Sequence, residues 1–432
     1  MFLRPGLTSF GALIALFSAC GRSDAPQGNP QPPSETVPAV TPPSEPAVTE
    51  PDATRPTPTR PPPAATAAGH ERFALVRDLA ADASEGRAPG TPGSLRARNL
   101  ITTALERCGY QVATQTTDGP AINLLATRRD RPPRERFVVL SAHYDHLGVV
   151  DGLIMNGADD NAAGVGIVVD IACALATAPI DKDQHADLLI ALWDAEEPPH
   201  FLTQRMGSAH FAAHPTVPLE RIDVAIVLDL VGGGLWPGSP LHFALGAETS
   251  PEVADIIATT PVPKGLDARQ ANLSLVEHLV VGDRRQPWSD YHAFRERGVP
   301  VLFLSNGQTH HYHTHHDDFE TLDLQKMALQ ADWLRGIVTR LLQRATPPTR
   351  TFPPPARPTL DTEAARALLL GASAWARTSP EGARVFDADV LDRDLAAIDG
   401  SDTEADLARR RAVQRVQCLA SRRIPCELCL GL

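Results

Sequence analysis

The sequence predicts an α/β fold, a mostly parallel but mixed central sheet with helices on both faces. Three observations carry that prediction. Between residues 69 and 346, apolar runs of strand length alternate with segments of helical spacing. The runs are continuously apolar, as strands covered on both faces are. Polar residues come directly after each run, and sheets of this kind place their sites beyond the carboxyl ends of their strands.

Taken in chain order, residues 1–20 read MFLRPGLTSFGALIALFSAC. Arg4 is a lone positive charge, and Leu7 to Ala19 is a mostly apolar run too short for a stable span. This is the pattern of an export signal. Ala19-Cys20-Gly21 resembles the lipobox of bacterial lipoproteins. That resemblance implies an exported protein of the cell envelope, held to a membrane by acylated Cys20 and facing the periplasm or the surface. Several acyl chains on one cysteine would anchor it stably where one would not. Residues 21–68 read as a disordered linker, since 25–68 hold 14 of the 40 prolines and almost no large apolar side chain. Such a stretch cannot bury a core and favours extended polyproline II.

The domain expected over 69–346 begins its clear pattern at Phe137-Val-Val-Leu-Ser-Ala, a strand. Asn161 caps a helix running to about Ala176, Leu188–Trp193 is a second strand, and a helix comes next from about Gly207. Val224–Leu228 is a third strand, Ser289 opens a short helix, and Val299–Ser305 is a further strand. An amphipathic helix from about Asp323 to Gln343 closes the domain. Residues 347–432 read as an appendage: six prolines in 347–358 mark a boundary, and helical spacing resumes from 359.

Composition narrows the function. Lys+Arg 40 against Asp+Glu 52 leaves a formal net charge of −12, with no long basic cluster, which argues against nucleic acid as a partner. Five cysteines remain after Cys20: Cys108, Cys173, Cys418, Cys426 and Cys429. The odd number leaves one thiol over or makes an intermolecular pair, and a disulfide involving Cys418 is the expected arrangement.

The residues that can carry chemistry lie just beyond the strands. His143-Tyr144-Asp145-His146 comes after the first, Asp159-Asp160-Asn161 precedes a helix, and Asp194-Ala195-Glu196-Glu197 comes after the second. Asp229 ends the third, and a histidine tract from His310 to His316 lies beyond the last. Bringing Asp160, Glu196, Glu197 and Asp229 together would crowd negative charge into a small volume. Divalent cations relieve that crowding and accept carboxylate and imidazole ligands. Five such ligands suit a metal pair sharing one carboxylate, and a sixth carboxylate left over could move a proton. That combination is suited to metal-assisted hydrolysis.

The order H-x-D, G-A-D-D-N-A-x-G, E-E, D after a strand, and Y-H-T-x-x-D resembles the M28 family of di-zinc peptidases. The likeness extends over about 73–346 and includes Ser84–Gly93 and Asn123-Leu-Leu-Ala. It implies that His143, Asp160 and Asp229 hold one zinc, and that Asp160, Glu197 and His313 hold the other. It implies a tautomer-fixing hydrogen bond from His143 to Asp145. It also implies that Glu196 is the general base and acid, and that Tyr312 stabilises an oxyanion. Of the clustered histidines only His313 matches Y-H-T-x-x-D, with Asp317 in the acidic place; His146 is a neighbour and not a ligand, and Asp159 is structural. Mn2+ or Co2+ would suit the donors as well as two Zn2+. The insert Pro198–Arg205 stands where relatives carry a short glycine-containing loop before G-S. The resemblance implies an exported aminopeptidase acting on peptides. The alternatives are a carboxypeptidase or dipeptidase, acyl transfer like that of glutaminyl cyclases, or a catalytically silent binding protein.

Overall fold

The computed structural model describes residues 67–178, 183–277, 280–281, 284–355 and 357–421. The export signal, Cys20, nearly all of the proline-rich linker, Cys426 and Cys429 lie outside the described residues.

Among the described residues, eight strands form one sheet. They are β1 (Tyr110–Thr116), β2 (Ile122–Arg128), β3 (Phe137–His143), β4 (Asp187–Trp193), β5 (Ile222–Leu228), β6 (Leu241–Leu245), β7 (Asp267–Ala271) and β8 (Val301–Ser305). Their spatial order is β1-β2-β4-β3-β5-β8-β6-β7. The central four, β4, β3, β5 and β8, are parallel, and antiparallel pairings join them to β2 on one side and β6 on the other. These four are the apolar runs read from the sequence, and β3, β4, β5 and β8 are buried along their whole lengths. The ladder of β8 starts at Val301 rather than Val299, because Pro300 has no N–H to contribute.

Alternate residues of the central strands enter two cores. On one face Val138, Leu140 and Leu228 pack with helices α1 (Pro92–Arg107), α2 (Ala163–Thr177) and α5 (Leu324–Leu342) through Leu105, Ile167 and Leu334. The apolar α2 is buried on nearly all sides, and its first turn is closed by Asn161, whose Oδ1 accepts from the N–H of Gly164 at 3.1 Å. At the start of α5 the Asp323 side chain accepts from the N–H of Lys326 at 2.9 Å. A disulfide joins Cys108, at the end of α1, to Cys173 in α2, with their Cα atoms 5.0 Å apart.

On the other face Val139, Leu189 and Val227 pack with helices α3 (Gly207–Ala213) and α4 (Tyr291–Arg295). The C-terminal helices join that same core: α6 (Pro358–Thr378) through Leu368 and Leu369, α7 (Ala388–Ala397) through Leu391, and α8 (Thr403–Ser421) through Val413 and Val416. Buried Arg409 ties them together, donating to the carbonyls of Ile398 and Gly400 and to Thr362 Oγ1.

Candidate metal centre

The carboxyl ends of β3, β4, β5 and β8 converge, and the loops beyond them bring together every residue the sequence singled out for metal chemistry. His143 is the last residue of β3, and Asp229 comes directly after β5. Nε2 of His143 lies 3.4 Å from Asp160 Oδ1 and 3.4 Å from Asp229 Oδ1. Nε2 of His313 lies 3.2 Å from Asp160 Oδ2 and 3.1 Å from Glu197 Oε2. Asp160 therefore presents one oxygen to each side. His143, Asp160 and Asp229 form one buried group with metal-ligand spacing, and His146, Asp160 and Glu197 form a second.

His146, expected to be only a neighbour, is part of the cluster. Its Nδ1 lies 2.8 Å from Glu197 Oε1 and 3.8 Å from Asp160 Oδ2, so it faces the same two carboxylates as His313. Its signal was the second histidine of His-x-Asp-His, but only the folded loop shows which ring turns inward.

Asp145 does more than the expected tautomer-fixing contact. Its carboxylate lies 3.6 Å from His143 Nδ1, whose closer neighbour is the Asp145 carbonyl oxygen at 3.3 Å. The carboxylate itself accepts from the N–H groups of Glu196 and Glu197, at 3.1 and 3.2 Å. Asp317 does the same for the other loop, accepting from the N–H groups of Asp159 and Asp160 at 2.9 and 3.0 Å. Asp159 is structural, as expected: its Oδ1 accepts from Gly232 and Gly233, pinning the chain beyond Asp229. Arg87 has no counterpart among the residues the sequence singled out. Fully buried, it donates to the carbonyls of Tyr144, Leu79 and Gly157 and so fastens the lead-in segment beneath the site.

The loops turn sharply. Ala195, Leu230 and His313 have φ of +58°, +56° and +54°, the left-handed region that non-glycine residues seldom adopt. Each adjoins or is a residue of the cluster, where such backbone tends to gather. Gly157 fills a tighter place: at φ +57° a Cβ there would meet the Asp160 carbonyl and the His146 ring.

Electrostatics match the crowding. Burial, with Asp229, Asp290 and Glu197 nearby, holds the Glu196 carboxyl well above the carboxylate range, although His143 opposes it. Burial also raises Asp229. For Asp160 burial is outweighed by His143 and His313, and it stays well below its ordinary value. Burial alone would lower His313, but Glu197 and Asp160 hold it up at about 9. Tyr312 is raised well above an ordinary phenol by burial and by the four carboxylates it faces. It therefore keeps its proton at neutral pH and can donate a hydrogen bond. Imidazole nitrogens and carboxylate oxygens in this spacing are the donor set of zinc and similar divalent cations, whose charge would offset the crowding.

Beside the carboxylates is a cavity of ≈ 80 Å3, lined also by Pro198, Phe201, Trp288, Phe303 and Gln308. The insert after Glu197 therefore contributes to its wall.

The sequence model of Peptidase family M28 matches residues 123–338, half of the chain. Uncharacterized protein YfbL of Escherichia coli is 27% identical over 57% of this chain and 79% of its own. Glutaminyl-peptide cyclotransferase of Bos taurus is 28% identical over 55% of this chain and 73% of its own. Among solved structures, the Legionella pneumophila LapA aminopeptidase superposes with a TM-score of 0.52 at 15% identity, over 64% of this chain and 73% of that one. Porphyromonas gingivalis glutaminyl cyclase gives 0.50 at 19% identity, over 63% and 98%. At those identities the structural likeness shows the fold.

Proposed function

The chain belongs to peptidase family M28, and on that footing we propose that it is an exported zinc exopeptidase, an aminopeptidase releasing N-terminal residues from peptides. The observation that carries this reading is Asp160, one carboxylate shared between two buried donor groups with the Glu196 carboxyl alongside. His143, Asp160 and Asp229 would hold one cation. Asp160, Glu197 and His313, with His146 beside them, would hold a second. Bound there, such a pair supplies Lewis-acid polarisation of a carbonyl and a more acidic water. Glu196, whose Oε2 lies 4.0 Å from the His143 ring, takes the proton of the attacking water and returns it to the leaving amine. Tyr312, protonated and lining the cleft, donates to the carbonyl oxygen as charge develops on it. Asp145 holds Glu196 and Glu197 in register through their N–H groups. A small cavity beside the carboxylates suits a chain end better than the middle of a polypeptide.

The test is hydrolysis of a panel of free and N-acylated peptides with and without added Zn2+, Mn2+ or Co2+. Cleavage of free peptides only, abolished by chelation, is expected. Cleavage of blocked peptides from the carboxyl end would favour a carboxypeptidase. The likeness to a glutaminyl-peptide cyclotransferase supports a second reading. Release of ammonia from a peptide with N-terminal glutamine, without cleavage of any peptide bond, would establish it in place of the first.

We place the protein in the cell envelope, anchored at Cys20. The sequence pattern at 1–20 supports this, and so does the Cys108–Cys173 disulfide, a bond that persists in oxidising compartments. Cys20→Ala should move the protein from the membrane fraction to the soluble one; unchanged partition would remove the anchor.

A further inference from the structure

The C-terminal helix α8 lies beyond the part of the chain that matches the family, yet one of its side chains reaches the wall of the cleft. Gln417, 6% exposed, accepts through Oε1 from the N–H of Gln308 at 3.1 Å. The contact is close-fitted. Gly307 has φ +85°, and a Cβ there would stand 2.3 Å from the Gln417 amide nitrogen. The other end of the same turn is fastened to the Asp229 loop: Asn306 donates from its N–H to the Leu230 carbonyl at 2.8 Å and from Nδ2 to the Gly233 carbonyl at 2.7 Å. The turn after β8 is thus clamped between the metal-ligand loop and α8. Gln308, which it carries, lines the cleft with Glu196, Trp288 and Tyr312.

Among the described residues lining that cleft, Gln308 alone has a carboxamide side chain. A carboxamide offers both a donor and an acceptor, the complement of a peptide group. We propose that Gln417 is a positioning residue that holds the Gly307–Gln308 turn, and that Gln308 binds the main chain of a peptide substrate. The C-terminal helix is then part of the substrate-binding apparatus. This rests on the peptide-hydrolase reading for its choice of ligand.

The test uses the full chain and a free tripeptide. Kd is measured by calorimetry in a Glu196→Gln background, and KM and kcat are measured with Glu196 intact. Gln417→Ala should weaken Kd and raise KM about tenfold, about the worth of one buried hydrogen bond, while kcat changes less than about twofold. Gln308→Ala should give the same loss, and the double variant no more than either alone. If Gln417→Ala does not fold, Gln417→Met, of similar length without that oxygen, reads the same loss. Unchanged Kd and KM, additive losses, or a fall in kcat at constant Kd overturns the proposal. A chain that binds the peptide with a Gln417-dependent Kd but hydrolyses nothing overturns the hydrolase reading and leaves the role of Gln417 standing.

Discussion

At Glu196 opposed forces meet: burial and three neighbouring carboxyl groups favour the protonated form, while the His143 ring favours the charged one. A side chain so placed is useful for carrying a proton and, lying outside both donor groups, is not needed to hold a cation. Glu196→Gln should therefore retain the bound metal of the wild type, measured by elemental analysis, and lose about 10^2–10^4 in kcat. Near-wild-type turnover would end the assignment. Tyr312→Phe removes one donor and should cost about 10^2–10^3 in kcat with little change in KM; a pure KM effect would make Tyr312 a binding residue only. Most of this cluster was legible because carboxylates and histidines come directly after the apolar runs, and loops at the carboxyl ends of parallel strands have to meet. His146 and Arg87 were not, for one shared reason. Their partners are a carboxylate on another loop and a set of backbone carbonyls, and neither leaves a pattern in the spacing of residues along the chain.

Among the elements, the central parallel strands were readable from continuous apolar runs. The flanking strands were not. β1 (YQVATQT) and β7 (DARQA) are mostly polar and half exposed, and their pairing depends on a neighbour supplying the ladder rather than on their own burial. The pairing of Cys108 with Cys173 was equally hidden, since connectivity cannot be deduced from a count. It bridges α1 and α2 across 65 residues of sequence. In a chain-entropy description a loop of that length stabilises the fold by about 4 kcal/mol. Cys108→Ser should lower the unfolding free energy by about 2–4 kcal/mol in denaturant titration, and dithiothreitol should do the same to the wild type but nothing further to the variant. Equal stability with and without reductant would show that the bond contributes nothing.

For the whole molecule, the proline cluster at 347–358 marks where the chain leaves α5, but packing continues across it. Leu368, Leu369 and Val416 share a buried cluster with Trp236, Leu241 and Phe243 on the sheet side. Ending the chain at residue 346 would uncover that surface, and large exposed apolar patches drive association. The shortened protein should elute as aggregate in size-exclusion chromatography and hydrolyse no peptide. A monodisperse, active fragment would show that the helices are dispensable.

The left-handed backbone at Ala195, Leu230 and His313 bears on how this protein can be varied. A library built around the cleft should tolerate glycine at buried Ala195, whereas valine, isoleucine and threonine should drop out at Ala195 and Leu230 because their branched Cβ clashes in that conformation. Beside the metal-ligand loops the usable alphabet is thus small, and selection for a changed specificity would have to work through the surrounding wall at Phe201 and Trp288 instead.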